Sequence, residues 1–590
     1  MATQRSDRFR RRRFPILLLL ALLSPASAAA QGEPTSRSAV PGLAPEDPHA
    51  RLLAAEQYPS AKQCGACHDQ IYEEWSSSAH AYAAISPMFH KFEQRINELA
   101  NGTVGAFCVR CHISVGTAMG EERWLPLWDR SPVSLEGVTC ISCHRVEETY
   151  GRVNGERRIV PGTLQAPVQG PTGAPVLDGV IERRKQYGVD PVGDGDGAPI
   201  HADAHQHRQI TKSEFCASCH QVAVHPGIKL EVVWEQYRDS PARAAGTTCQ
   251  DCHMSTNPGK ASGYASGPRA VVNQQPIEPP GKHTDHAFVG PGYSIAHPGI
   301  FPHNRLNQYS TKEWMSFDWR AGWGELEWER SSHDPGSFPP EWRDPEDRRR
   351  ARDIVDENRA KLAARNERRR AVMENGSEID GPFFRDDVRA GEDLEFEYVV
   401  TNTCTGHNLP SGSLGAQPEI WLNVALSDPD GKNVWESGYV DSHGDMADLH
   451  SRDVRAGKLA HDDQLVNLQT KFLTTNLKGT DREMFLPVPF DGDQLPFIRP
   501  AGQPTSVMNH PPFIRMEQRS IPPLGQRRAR YSVPGERLAR PGTYVLSVRL
   551  RSRAEPIYFM DFVRATREMT REMNAWMVDI HPYSVAFEVR

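Results

Sequence analysis

The sequence predicts a multidomain chain: a loop-rich first half built around paired cysteines, a charged connector helix, and an antiparallel β-sandwich. Three observations predict it. Ten of the eleven cysteines fall in five Cys-x-x-Cys-His motifs between residues 64 and 253. A charged stretch at about 345–374 carries helix start and stop signals. Beyond Phe383, apolar residues recur at every second position, the period of a strand with one buried face.

The motifs, numbered one to five, are Cys64-Gly-Ala-Cys67-His68, Cys108-Val-Arg-Cys111-His112, Cys140-Ile-Ser-Cys143-His144, Cys216-Ala-Ser-Cys219-His220 and Cys249-Gln-Asp-Cys252-His253. Two thiols three positions apart lie on one face of a helical turn, within reach of the two vinyl groups of one porphyrin. The next residue offers its imidazole to the iron as proximal ligand. This is the c-type haem attachment signature. Zinc also uses paired cysteines, but zinc would not require a histidine after every pair. The expectation is five covalently bound c-type haems, with His68, His112, His144, His220 and His253 as iron ligands. Only 38% of the residues are hydrophobic. Five macrocycles would supply apolar surface that the chain need not encode, so this half should be loop-rich, haem-cored and unable to fold without haem.

From the N-terminus, Arg10 to Arg13 precede an apolar run from Phe14 to Leu23 and a small-residue stretch with cleavage options after Ala28 or Ala30. Residues 1–30 therefore read as a signal peptide, with an apolar run too short to span a bilayer. No transmembrane span is expected in the mature chain, and its place is periplasmic or extracellular. Removing residues 1–30 takes away six arginines and one aspartate, leaving 62 basic against 74 acidic residues. That acidic balance gives nucleic-acid binding little support and suits docking on basic patches of redox partners.

Residues 31–57 read as a flexible linker. Residues 58–305 form the pentahaem region. Residues 306–383 are a linker with the charged helix, where Asp344 is the N-cap, Pro345 the first helical residue, and Asn375-Gly376 the stop. Its mixed charges favour a solvated connector. Residues 384–590 form the sandwich, with alternation at Leu394–Val400, Ile420–Leu426, Tyr544–Leu550 and Tyr583–Val589, and a turn at Asp428-Pro-Asp-Gly431. Asp190-Pro-Val-Gly-Asp194-Gly-Asp196 resembles a calcium loop loosely; a solvated acidic turn is preferred, because the EF-hand spacing and closing Glu are missing. Cys404, outside the motifs, reads as a buried free thiol.

Three stretches resemble the cytochrome c-554/c-prime family of multihaem cytochromes. Cys64 to Phe89 contains Tyr72-x-x-Trp75-x-x-Ser78-x-His80, Gly137 to His144 reads GVTCISCH, and Ser213 to Met254 runs from SEFCASCHQV to GTTCQDCHM. The resemblance covers roughly residues 60–300. It implies a mainly α-helical and coil haem domain with closely packed haems, and second axial histidines from outside the motifs. His80 is the best such candidate, followed by His205 or His207 and by His286, with His90, His225 and His283 weaker. Sandwich domains with a Gly-His-x-x-Pro-[Ser/Thr]-Gly loop accompany such cytochromes, and Gly406 to Gly412 matches it. His407 could cap a haem there or brace a tight turn; the turn is preferred, since the Pro and Gly residues alone justify a rigid loop.

The family implies electron relay between redox partner proteins, cytochromes or membrane quinol-linked complexes. One alternative is an oxidoreductase acting on a small nitrogen or sulfur compound at an open haem; another is a cell-surface scaffold carrying a haem module. Pentahaem nitrite reductases usually replace one motif histidine with lysine. All five motifs here end in His, which lowers the enzyme reading and leaves no catalytic residue assigned.

Overall fold

Every attachment motif sits on a short helical turn, because four or five residues suffice to bring two thiols to one side. In the computed structural model, the described residues are 57–590 apart from 100–104, 148–152, 226–227, 293–302, 413–417, 470, 478–479, 484–513 and 518. The leader expected at 1–30, and all but the last residue of the linker expected at 31–57, lie outside them.

Helix α1 (Ala61–Gly65) carries Cys64, and α2 (Asp69–Ser76) begins directly after His68. Then come α3 (Pro87–Leu99), α4 (Val109–His112), α5 (Ile141–His144), α6 (Ser213–His220), α7 (Val233–Arg238) and α8 (Cys249–His253). Helices this short need external support at their ends. Ser60 and Gln63 form a capping box on α1, and Thr248 and Asp251 form one on α8. The buried carboxylate of Glu136 accepts from the Ala61 amide (2.8 Å), Ser60 Oγ (2.5 Å) and Thr139 Oγ1 (2.8 Å), tying motif one to motif three. Gly137 has φ +66°, and a Cβ there would lie 2.4 Å from the carbonyl oxygen of His80. Only glycine lets the two backbones cross so closely, and the Val138 amide donates to that same oxygen (3.0 Å).

Helix α9 (Pro345–Asn375, 31 residues) starts where Asp344 accepts from the Glu346 amide. It is not a solvated connector. It buries Ala351, Ile354, Val355, Leu362 and Val372 together with Arg348, Arg365 and Arg369. Its arginines serve main-chain carbonyls: Arg365 donates to Ala287 (2.8 Å), and Arg369 to Pro291 (2.6 Å) and Trp576 (2.8 Å).

The last third is β-rich and antiparallel. Strands β1 (Ser377–Phe384), β2 (Leu394–Asn402) and β5 (Gln526–Val533) make one sheet in the order β1-β2-β5. Strands β3 (Glu419–Ser427), β4 (Asn433–Ser437), β6 (Gly542–Arg553) and β7 (Val578–Val589) make another, ordered β4-β3-β6-β7. One core joins Phe396, Tyr398, Val400 and Tyr531 of the first sheet to Leu422, Val424, Leu546 and Val548 of the second. Each such side chain contributes roughly 1.5–3 kcal/mol by leaving water. At the Asp428–Gly431 turn, Asp428 Oδ1 accepts from the amides of Asp430 (2.9 Å) and Lys432 (3.0 Å). All described residues belong to one compact unit. Among them, no helix is long and apolar enough to cross a membrane.

Candidate haem centre

A cavity of about 2010 Å³ runs between the motif helices, α9 and the β-rich region. A single small-molecule site occupies roughly 300–1,000 Å³, so this space suits several groups side by side. Both cysteines and the histidine of motifs two, three, four and five line it, with Phe89, Phe92, Phe215 and Phe288 among its apolar walls. Motif one lies alongside, its Cys64 thiol in hydrogen-bonding contact with Cys140 of motif three. Cys111 and Cys219 touch in the same way, as do Cys216 and Cys249. Arg157 joins motifs three and four: Nη1 donates to the Ser142 carbonyl (2.9 Å), Nη2 to the Phe215 carbonyl (2.8 Å) and Nε to Ser218 Oγ (2.7 Å).

Four of the five motif imidazoles share one orientation device. Nδ1 of His68 donates to the Arg269 carbonyl (3.0 Å), of His112 to Ala83 (3.3 Å), of His144 to Gln169 (2.8 Å) and of His253 to Val289 (2.9 Å). Committing Nδ1–H to a carbonyl leaves the Nε2 lone pair for a metal, the usual support of a ligating histidine. Burial pushes His68, His144 and His220 below the ordinary imidazole range and His112 down to about 4. They are neutral at physiological pH, as ligation requires.

The second ligands expected outside the motifs are His80, His286 and His205 or His207; His207 is buried but not among the cavity-lining residues. His80 lines the cavity and faces His220, ring centroids 6.3 Å apart, and burial followed by His220 pushes it down to about 3. His286 also lines it, its Nδ1 donating to the Thr284 carbonyl (2.7 Å); burial and then His144 push it to about 4. His205 is not among the lining residues: its side chain is 50% exposed and lies 3.5 Å from the Asp203 carboxylate. Of the weaker candidates, His90 commits Nε2 to the Ala84 carbonyl (2.7 Å), and His283 commits Nε2 to Glu74 (2.7 Å).

Two histidines gain importance from the structure. His201, not singled out from sequence, donates Nδ1 to the Leu164 carbonyl (3.0 Å); burial and then neighbouring His68 push it to about 4. Nothing local marks it, since no motif surrounds it. His407 lines the cavity beside His253. Cys404 is half-buried rather than buried, lines the same cavity and accepts from the Gly406 amide (3.3 Å). Asp190 spends both carboxylate oxygens on the amides of Val192, Gly193 and Gly195 (2.8–2.9 Å), which draws its pKa down.

The residues present therefore fit c-type haem: paired thiols on one helical face, neutral imidazoles with free Nε2, and apolar walls. Residues 63–145 match the family model for cytochrome c554 and c-prime. No curated protein matches the chain significantly. Among solved structures, it is similar to a penta-heme cytochrome c552 from Thermochromatium tepidum, at 16% identity over 90% of this chain and 99% of that one, with a TM-score of 0.47. A Pseudomonas fluorescens alkylpurine DNA glycosylase bound to DNA aligns at 12% identity over 43% of this chain and 41% of its own, with a TM-score of 0.13. Residues 63–145 thus match the cytochrome c554 and c-prime family, and the five attachment motifs with their anchored imidazoles are the pattern of a multihaem c-type cytochrome with covalently bound haem.

Proposed function

We propose that this chain is an exported pentahaem c-type cytochrome that relays electrons between respiratory redox partners, cytochromes or membrane quinol-linked complexes. The observation that carries the reading is the contact between thiols of different motifs around one cavity. Each haem supplies a one-electron Fe(III)/Fe(II) couple when bound. The chain's residues would hold and orient it: the cysteine pairs by thioether bonds, the motif histidines through Nε2, and, for four of them, a backbone carbonyl that fixes Nδ1. Motif one neighbours three, two neighbours four, four neighbours five, and Arg157 spans three and four. That sequence of neighbours supports a branched relay.

His80, which faces His220, and His201 and His286, which neighbour His68 and His144, are the side chains that would supply second imidazoles to those haems. His205 is left out because it is exposed and turned to Asp203. An iron with two imidazoles has no vacant position, so it passes electrons without taking a substrate. The domain reading is a leader at 1–30, a flexible stretch at 31–57, the pentahaem region at 58–305, a linker with α9 at 306–383 and a β-sandwich at 384–590. Calcium has no part in the proposal, since the Asp190 oxygens are engaged by backbone amides. Intact mass of the exported protein tests the reading: five thioether-bound haems on a chain beginning after Ala28 or Ala30 are expected, and fewer than five overturn it.

A second reading, an oxidoreductase acting on a small nitrogen or sulfur compound, is favoured by one observation at motif two. Among the described residues, no imidazole ring stands opposite His112 as His80 stands opposite His220. The ring stacked on His112 is Phe89, at 4.1 Å. The first imidazole to influence His112 is His90, whose Nε2 is committed to Ala84. Low-temperature EPR decides between them. A high-spin signal that shifts with nitrite or hydroxylamine selects the oxidoreductase, and an all-low-spin spectrum removes its site.

A further inference from the structure

We propose that His407, from the loop after β2 in the β-rich region, is the second axial ligand of the haem attached at Cys249 and Cys252, opposite His253. The inference rests on the pentahaem reading, and four observations on the page lead to it.

The first is ring geometry. The His253 and His407 rings lie 12° from parallel with centroids 6.1 Å apart. Two metal–nitrogen bonds of about 2 Å plus two ring half-widths of about 1.1 Å span roughly 6 Å. Direct face contact is shorter, as Phe89 on His112 at 4.1 Å illustrates. The separation suits one iron between two imidazoles.

The second is tautomer. His407 Nδ1 donates to the Asn408 carbonyl (3.0 Å), as His253 Nδ1 donates to Val289 (2.9 Å). Both rings therefore commit Nδ1 to a carbonyl and leave Nε2 as the atom available to a metal. A histidine that only braced a turn would need its Nδ1 bond and nothing more. Here the rest of the ring also lines the haem cavity.

The third is rigidity. A ligand must be held in place before the iron arrives. The Asn408 amide and Ser411 Oγ both donate to Gln236 Oε1 on α7, at 3.2 and 2.6 Å. The Ala242 amide donates to the Thr405 carbonyl (3.0 Å). On the other side, Asn402 Nδ2 donates to the His407 carbonyl (3.0 Å), and Leu409 and Ile521 exchange two backbone hydrogen bonds at 2.9 Å. The loop is pinned to the motif region and to the β-rich region at once.

The fourth is proximity of the neighbouring thiols. Cys404 and His407 line the same cavity as Cys252 and His253. The segment carrying His407 thus lies against the attachment cysteine of motif five, the haem it would ligate.

The test compares haem-loaded wild type, His407→Gly and His407→Met in the full chain. Intact mass is read first; a wild type lacking the fifth haem overturns the pentahaem reading and this assignment together. With five haems present, His407→Gly should convert one low-spin ferric signal to high-spin, and added imidazole should restore it. His407→Met should keep that iron low-spin and raise its reduction potential, since a Met/His pair favours the ferrous state. Unchanged low-spin signals and potentials in both variants, with five haems loaded, overturn the proposal. So does a high-spin signal that imidazole leaves untouched.

Discussion

Glu555 carries a buried carboxyl on the wall of the haem cavity, and its Oε2 has no hydrogen-bond partner among the described residues. Burial alone raises it from an ordinary 4.5 to about 8. Between those values, the folded chain holds a proton that the unfolded chain has released. Stability is therefore highest below the lower value, falls as pH rises through the window and levels off above it. Glu555→Gln should flatten that slope in thermal melts of the haem-loaded protein from about pH 5 to about pH 9; an unchanged slope refutes the assignment. Gly137 makes a second prediction. An alanine there would combine a left-handed backbone with a contact at 2.4 Å to the His80 carbonyl. Gly137→Ala should cost about 1–3 kcal/mol and disturb the low-spin signal of the haem facing His80, read by melting and EPR. At this scale, the attachment residues were legible, because their chemistry demands a fixed local spacing. The proposed second ligands were not. Tertiary packing brings His407 to the cavity and His201 beside His68, and nothing next to them in sequence distinguishes a ligand from a turn. His205 illustrates the converse: closeness to motif four in sequence did not bring it to the cavity.

Helix α9 shows what a charge pattern hides. Its ends were legible from Asp344-Pro345 and Asn375-Gly376, because capping is local. Its environment was not, because arginines facing water and arginines facing carbonyls look alike in a sequence. The guanidinium stems cover apolar surface while the heads satisfy main-chain acceptors, so a buried face can be written with few aliphatic residues. Arg369 is 1% exposed and reaches the carbonyls of Pro291 and Trp576, one from the motif region and one from the β-rich region. Arg369→Met keeps the stem and strips the donors, leaving both carbonyls buried without their partner. We expect a loss of about 2–5 kcal/mol in denaturant titration, with haem content unchanged. A loss within about 0.5 kcal/mol, the range of ordinary surface changes, would contradict this. The strands were easier to foresee. Leu394, Phe396, Tyr398 and Val400 alternate in sequence and all point into one core.

For the whole molecule, the decisive property is that one cavity serves motifs two to five while motif one abuts it through the contact of Cys64 with Cys140. Arg157 sits at the crossing of motifs three and four and places a permanent cation there. A nearby positive charge favours the reduced state. Arg157→Gln should lower the potentials of the two adjoining haems by about 50–100 mV, from roughly 1–2 kcal/mol of charge interaction at an effective dielectric of about 20. Spectroelectrochemistry reads this directly, and unshifted potentials would exclude Arg157 from the relay.

The carbonyl partners of His68, His112, His144 and His253 have a further consequence. A carbonyl holds a ring without neutralising anything, whereas a carboxylate in the same place would offset a cation. Each ferric centre must then keep its surplus charge within a dry interior, in view of its neighbours. Emptying one site makes emptying the next harder, so the array should discharge as a graded ladder of steps spread over a broad voltage range, and not as a single multi-electron event.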